Sequence, residues 1–225
     1  FYDCIGLGTL NLNNFVTTGV TNMTSMFQGC SGLTSLTLSS FNTGNPDLTS
    51  MASMFQGCSG LTSLDLPATF TTVQVTNMSS MFSGMTNLTS LNLTKFDTRQ
   101  ATSINTSSMF QNCSKLKTIT VSKNWTNAKM TTSSNMFAGC LVLAGGNGST
   151  LANNNNIVTA AAARVDGGES ARGYLTLQGG VYVSFDANLP SGMKLKSGVS
   201  VPATKAFENG ADVGTAMNDV YNDTW

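Results

Sequence analysis

Five cysteines and no histidine set the chemical limits of this chain of 225 residues. Thiols can form disulfides, ligate metals or act as nucleophiles, and each role needs neighbours of a definite kind. Cys4, Cys30, Cys58, Cys113 and Cys140 recur at one phase of a long spacing, and Met85 fills that phase between Cys58 and Cys113. A thioether standing in for a thiol marks a small apolar slot rather than a bonded or ligating sulfur. Parallel neighbouring side chains also meet at poor angles for disulfide closure, so Cys30, Cys58 and Cys113 are expected to be reduced and buried. With no His and no closely spaced Cys pair, a metal site lacks its ligands and an acid-base centre lacks its imidazole. The carboxylates form no catalytic motif, and Asp65 in Leu64-Asp65-Leu66 reads as solvent-facing. No enzymatic activity and no cofactor are expected. Recognition by polar surface groups remains as the available chemistry.

The elements that would position such groups are repeats. Five copies of one pattern run Leu7-Gly32, Leu33-Gly60, Leu61-Asn87, Leu88-Lys115 and Leu116-Val142, a period of 26 to 28 residues. Leu33, Leu36 and Leu38 recur as Leu7, Leu10 and Leu12, as Leu61, Leu64 and Leu66, as Leu88, Leu91 and Leu93, and as Leu116, Ile119 and Val121. The last two positions of each set alternate with polar residues, which is strand periodicity. An aromatic follows (Phe15, Phe41, Phe70, Phe96, Trp125), then a polar turn, then a Met-Phe segment such as Asn77-Met78-Ser79-Ser80-Met81-Phe82. Its Asn and its methionines three apart predict a capped short helix. A unit of this size cannot bury its apolar face alone, so the fold expected over residues 1–142 is a leucine-rich-repeat-like solenoid. Each turn would hold one short parallel strand and one short helix, pairing Leu36 with Leu10 and Leu64, and Leu91 with Leu64 and Ile119. Phe1-Tyr2-Asp3-Cys4 aligns with Phe27-Gln28-Gly29-Cys30, so the chain reads as beginning in mid-repeat, as part of something longer.

Strand alternation turns two rows of polar residues outward: Thr9, Ser35, Ser63, Ser90 and Thr118, and Asn11, Thr37, Asp65, Asn92 and Thr120. The turns after the aromatic vary more between copies and add Asn42, Asn45, Asp47 and Arg99 as candidate ligand-facing residues. Small polar rows solvate a sheet and can also dock a protein or a glycan. Acidic and basic residues cancel at 11 each and only 10% of residues are charged, which leaves no electrostatic footprint for nucleic acid or an anionic membrane. No apolar stretch approaches transmembrane length, so direct membrane insertion is not expected of this segment. Nine Asn-x-Ser/Thr sequons read as a consequence of Asn, Ser and Thr abundance.

The run Val75-Thr76-Asn77-Met78-Ser79-Ser80-Met81-Phe82-Ser83-Gly84, followed by Leu88-Thr89-Ser90-Leu91-Asn92-Leu93 and Phe96-Asp97-Thr98, resembles the BspA-like bacterial surface-protein repeat, also met in mycoplasma-type lipoproteins. The resemblance implies a leucine-rich-repeat-like scaffold on secreted or surface-anchored proteins, often adhesins. Thr106 and Ser133, in place of the first Met, and Lys123-Asn124-Trp125 depart from the pattern, as the end of an array should. Gly145-Gly146-Asn147-Gly148-Ser149, Ala163-Arg164-Val165-Asp166-Gly167-Gly168 and Gly173-Tyr174-Leu175-Thr176 resemble the segment that closes such arrays, so residues 143–178 read as a cap. Residues 179–225 read as a small β-rich module or linker. Within them Val181-Tyr182-Val183-Ser184-Phe185-Asp186-Ala187-Asn188 forms one strand, Gly198-Val199-Ser200-Val201-Pro202 a second, and the opening resembles the Listeria-Bacteroides repeat.

The expected function is a non-enzymatic adhesion or ligand-binding module, extracellular on a bacterial cell surface, that engages host extracellular protein or glycan. The alternative is a structural segment of a surface filament, stalk or virion fibre, which packs on copies of itself or on neighbouring structural proteins at a cell or virion surface.

Overall fold

The computed structural model describes residues 1–154, 156–165, 172–184 and 204–208. It is strand-rich, with parallel sheets, no closed barrel and, among the described residues, a single helical element, the 3-10 turn Ala160–Ala162. Strands β1 (Thr9–Asn11) and β2 (Ser35–Thr37) pair in parallel with Leu10 opposite Leu36. Strands β3 (Ser90–Asn92) and β5 (Thr118–Val121) pair likewise, with Leu91 opposite Ile119. Between them in sequence, β4 (Ile104–Asn105) pairs with β6 (Met130–Thr132), again in parallel. Each partner lies one copy further along the chain, so successive repeats stack side by side.

The helix expected in every copy is absent, and the hydrogen bonds show why. An α-helix would send each N–H back to the carbonyl four residues earlier. Here the N–H groups of Met78, Ser80, Phe82 and Gly84 reach the carbonyls of Asn105, Ser107, Met109 and Gln111 in the next copy, at 2.8 to 2.9 Å. The intervening N–H groups of Met81, Ser83 and Met85 close tight turns on Met78, Ser80 and Phe82. The same alternation joins Met23, Ser25, Phe27 and Gly29 to the second copy, and Met51, Ser53, Phe55 and Gly57 to the third. Two residues per copy must turn left-handed to aim alternate N–H groups the same way. Ser25, Ser53, Ser80, Ser108 and Asn135 hold the first position, at φ of 54 to 59°. Gly29, Gly57, Gly84 and Gly139 hold the second, with Asn112 in the fourth copy. Left-handed backbone costs an ordinary L-residue roughly 1–2 kcal/mol, which explains glycine at the second position, and every copy offsets the cost at the first with its inter-copy bonds. Methionines three apart fit one face of this chain of turns as well as they fit a helix.

Inside, the copies add to columns of like side chains. Phe1, Phe27, Phe55, Phe82, Phe110 and Phe137 stack with ring centroids 5.5 to 5.8 Å apart. Phe70, Phe96 and Trp125 form a second column at 6.0 and 6.5 Å. The leucines of the strand segments and the methionines of the turns fill the space around them as one continuous core. Cys30, Cys58, Cys113 and Cys140 lie buried with free thiols, each donating from Sγ to the carbonyl of the aromatic in the preceding copy at 2.8 to 3.1 Å. Burial pushes the thiols of Cys58 and Cys113 up to about 12.

The strand side is less regular than its sequence. Leu64 is buried, yet residues 61–66 form no strand, so the expected pairing of Leu64 with Leu36 and Leu91 is not made. Two features mark the third copy: Pro67, which has no N–H to donate, directly follows Leu66, and three residues rather than two separate Leu66 from Phe70.

Beyond the fifth copy, the chain returns to cover the last turn. Tyr174 meets Phe137 edge-on at 5.2 Å, and Trp125 donates from its indole nitrogen to the Ala163 carbonyl at 3.0 Å. Strand β7 (Leu175–Leu177) adds to β5 in parallel, with Thr176 opposite Thr120. Strands β8 (Gly180–Ser184) and β9 (Thr204–Glu208) then form an antiparallel pair. The second strand expected at residues 198–202, and residues 185–188 of the first, lie outside the described residues.

Candidate functional site

The outward polar rows land on one side of the stack, in two patches. Thr9, Asn11, Ser35 and Thr37 project from β1 and β2, with Thr9 opposite Ser35 and Asn11 opposite Thr37, all exposed. Ser90, Asn92, Thr118 and Thr120 project from β3 and β5, with Ser90 opposite Thr118 and Asn92 opposite Thr120. Strand β7 continues the register of the second patch with Thr176 beside Thr120, but the Thr176 hydroxyl is buried and does not join the outward row. Ser63 and Asp65 sit between the patches, on the unpaired third copy, and both are exposed.

A cleft of about 310 Å³ opens at that break. One wall is residues Thr34–Ser39; the other is Ser63, Asp65, Leu66 and Pro67. In parallel strands alternate residues turn their backbone groups to opposite edges. Ser35 donates to Gly8 and Thr37 accepts from Leu12, so the N–H and C=O of Leu36 point the other way, into the cleft. Among the described residues no backbone bond links residues 34–38 to residues 62–66. The copies rejoin on either side. A Cβ placed on Gly60 would lie 2.6 Å from the Leu33 carbonyl, and Thr43 donates to Thr69 at 3.1 Å.

The turn residues are placed differently. Asn42 accepts from the Gly44 N–H at 2.8 Å, and Asn45 accepts from Asp47 while donating to the Val20 carbonyl at 3.0 Å. Both side chains brace their own turn, Asn45 also ties it to the preceding copy, and Asp47 is exposed beside them. Arg99 grips Asp97 through its backbone N–H, Nε and a terminal nitrogen, the last at 2.7 Å. The guanidinium holds the Asp97 carboxyl below the usual carboxylate range.

A row of buried threonines runs through these same turns, unnoticed among the variable residues. The Thr17 hydroxyl donates to the Asn42 carbonyl at 2.9 Å and accepts from the Asn42 N–H at 2.8 Å. Thr43 does the same to Thr71, Thr72 to Asp97, and Thr98 to Thr126. Each hydroxyl replaces a missing strand residue between copies. The signal is the spacing Phe15-x-Thr17, Phe41-x-Thr43, Phe70-x-Thr72 and Phe96-x-Thr98. The sequons also have a geometric cause. Asn22, Asn77, Asn92 and Asn105 accept from the N–H two residues on, and the hydroxyls of Ser79 and Thr94 donate to the same amide oxygens.

This geometry offers hydroxyls, amides, one carboxylate and free strand edge, which suit binding by hydrogen bonds. Among the described residues no group of three or more His, Cys, Asp or Glu side chains could hold a metal ion. No helix among them is long and apolar enough to cross a membrane.

Comparison with known proteins gives one relation. A family described as "Mycoplasma protein of unknown function, DUF285" matches residues 1–88 and 47–148. No curated protein and no solved structure matches the chain. The match does not reach the segment resembling the Listeria-Bacteroides repeat. It spans the stacked copies and their aromatic columns, 148 of 225 residues in all, and the chain belongs to this mycoplasma-type repeat family.

Proposed function

We propose that the chain is the solenoid part of a bacterial surface protein and binds an extracellular partner, host protein or glycan, through its outward strand side, without catalysing a reaction. One observation carries this reading: the division of polar groups between the two sides. On the turn side and in the threonine row, backbone and hydroxyl groups are consumed in joining copy to copy. On the strand side Thr9 and Asn11 stand exposed opposite Ser35 and Thr37, and Ser90 opposite Thr118, with exposed Asn92 opposite half-buried Thr120. A location outside the cell fits a surface dominated by Ser, Thr and Asn with few charges, and fits the family's mycoplasma link.

The test is attachment to immobilised extracellular-matrix proteins and to a glycan array. Replacing Ser35, Thr37, Ser90, Asn92, Thr118 and Thr120 by Ala in groups should weaken attachment while the melting temperature stays constant. Attachment unchanged by every such group rules the strand side out. Loss of self-assembly with attachment intact would favour the structural segment.

A further inference from the structure

The cleft at the third copy is a departure from the repeat, because a regular repeat would pair its strands there. Resting on the binding role above, we propose that the cleft takes an extended peptide carrying a basic side chain, held by main-chain hydrogen bonds to Leu36 and by Asp65.

The backbone argues for a peptide. Leu36 directs an unpaired N–H and C=O into the opening from a strand whose far edge is already satisfied by the first copy. A donor and an acceptor on one residue match the two backbone groups of one residue in an extended chain, the pairing by which sheets take up an added strand. In the opposite wall residues 61–66 form no strand, so the third copy does not supply that partner itself. Ser35, Thr37 and Ser63 line the rim, where a peptide's flanking polar groups would lie, while the Ser39 hydroxyl donates to Asn13 of the first copy. An aromatic platform, on which a sugar ring would stack, is missing from the lining.

Charge selects the side chain. Asp65 is the one charged residue in the lining, is exposed, and has neither ion pair nor hydrogen bond among the described residues. The corresponding positions in the other copies are Asn11, Thr37, Asn92 and Thr120, so this carboxylate occurs once in the stack, at the place where the strands part. A volume of about 310 Å³ limits the contact to a few residues, which implies weak binding by a single site.

The test uses fluorescein-labelled nonapeptides of alternating Thr and Val with one central Lys, measured by anisotropy against the whole chain. A second peptide carries Glu in place of Lys, and a third is N-methylated at alternate residues. The Lys peptide should bind, and shift the amide resonances of Leu36 and Leu38. Asp65→Asn should weaken it about threefold, the scale of an exposed ion pair, and added salt should do the same. N-methylation should weaken it at least about tenfold by removing main-chain donors. Equal binding of the Glu and Lys peptides, indifference to N-methylation, or amide shifts confined to Ser90–Thr120 would overturn the cleft assignment. Should no peptide bind while Thr118→Ala and Thr120→Ala still weaken attachment to matrix or glycan, the cleft proposal falls and the strand-side reading stands. Should neither respond, both fall.

Discussion

The turn side and the strand side of each repeat are built from the same five copies, yet one is continuous and the other is broken. On the turn side, isolated bridges run Asn22 to Ser50 to Asn77 to Asn105, and in each Met-Phe segment, from that of Met23 to that ending at Asn112, alternate N–H groups find the next copy. On the strand side the pairing stops after β2 and resumes at β3. The turn side tolerates the change from 26 to 28 residues because each copy begins its Met-Phe segment in phase, whatever the length of the loop before it. The strand side has no such reset; it opens at the third copy, the one that carries Pro67 and an extra residue before Phe70. Stability is therefore expected to concentrate on the turns and the aromatic columns, and freedom to vary on the strands.

Four measurements bear on this contrast. Phe82 stacks on Phe55 and Phe110 and touches Phe96 at 6.3 Å, so Phe82→Ala should cost about 3–5 kcal/mol in chemical denaturation. Leu64 is also buried, but its backbone is unpaired, and Leu64→Ala should cost about 2 kcal/mol, the low end for a buried leucine. Equal losses at the two positions would remove the distinction between the sides.

Thr72→Val keeps the shape and deletes the bridging hydroxyl, leaving the Asp97 N–H and carbonyl without their partner in a buried turn. A loss of about 1–3 kcal/mol is expected in the same assay. No loss would mean that water takes over the bridge.

Ser80→Gly tests the turn geometry by sign alone. At φ of 54° glycine relieves the strain of a side chain, so stability should rise, by up to about 1 kcal/mol. In a helix the same change would lower it by about 0.5 kcal/mol, so a fall in stability would restore the helical reading.

The remaining effect is confined to alkaline pH. Burial raises the thiols of Cys58 and Cys113 to about 12, from an ordinary value of 9.0. Between those values the unfolded chain has released protons that the folded chain retains, so stability should fall as pH rises above 9. Each thiol adds a slope of at most about 1.4 kcal/mol per pH unit. Below pH 9 these groups contribute no pH dependence. Cys58→Met, copying the natural choice at Met85, should flatten the curve relative to the parent chain; an unchanged alkaline slope would show that Cys58 is ionised or accessible when folded.

Much of this architecture is legible because its determinants are local and recur. The spacing of Leu10, Leu36, Leu91 and Ile119 announced parallel register, and the single phase of the cysteines, shared with Met85, announced a buried slot. Asn77-Met78-Ser79-Ser80-Met81-Phe82 misled, since a series of tight turns and a helix put Met78 and Met81 on one face alike. Phe-x-Thr was visible but lay in segments whose other residues vary, so a buried bridge looked like a loop. The outward positions follow from alternation alone, while the cleft does not: Leu61-Thr62-Ser63-Leu64-Asp65-Leu66 is as good a strand pattern as any in the chain.

Sequence by itself determined the repeat, the core columns, the reduced buried sulfurs and which polar residues face out. These depend on side-chain type at a fixed period, and burial sorts side chains by type. Only the tertiary structure decided where each N–H goes. That choice is between a carbonyl four residues away and one 26 to 28 residues away, and it depends on whether the neighbouring copy stands at bonding distance. The same dependence made turns of the expected helices and left the third strand unpaired.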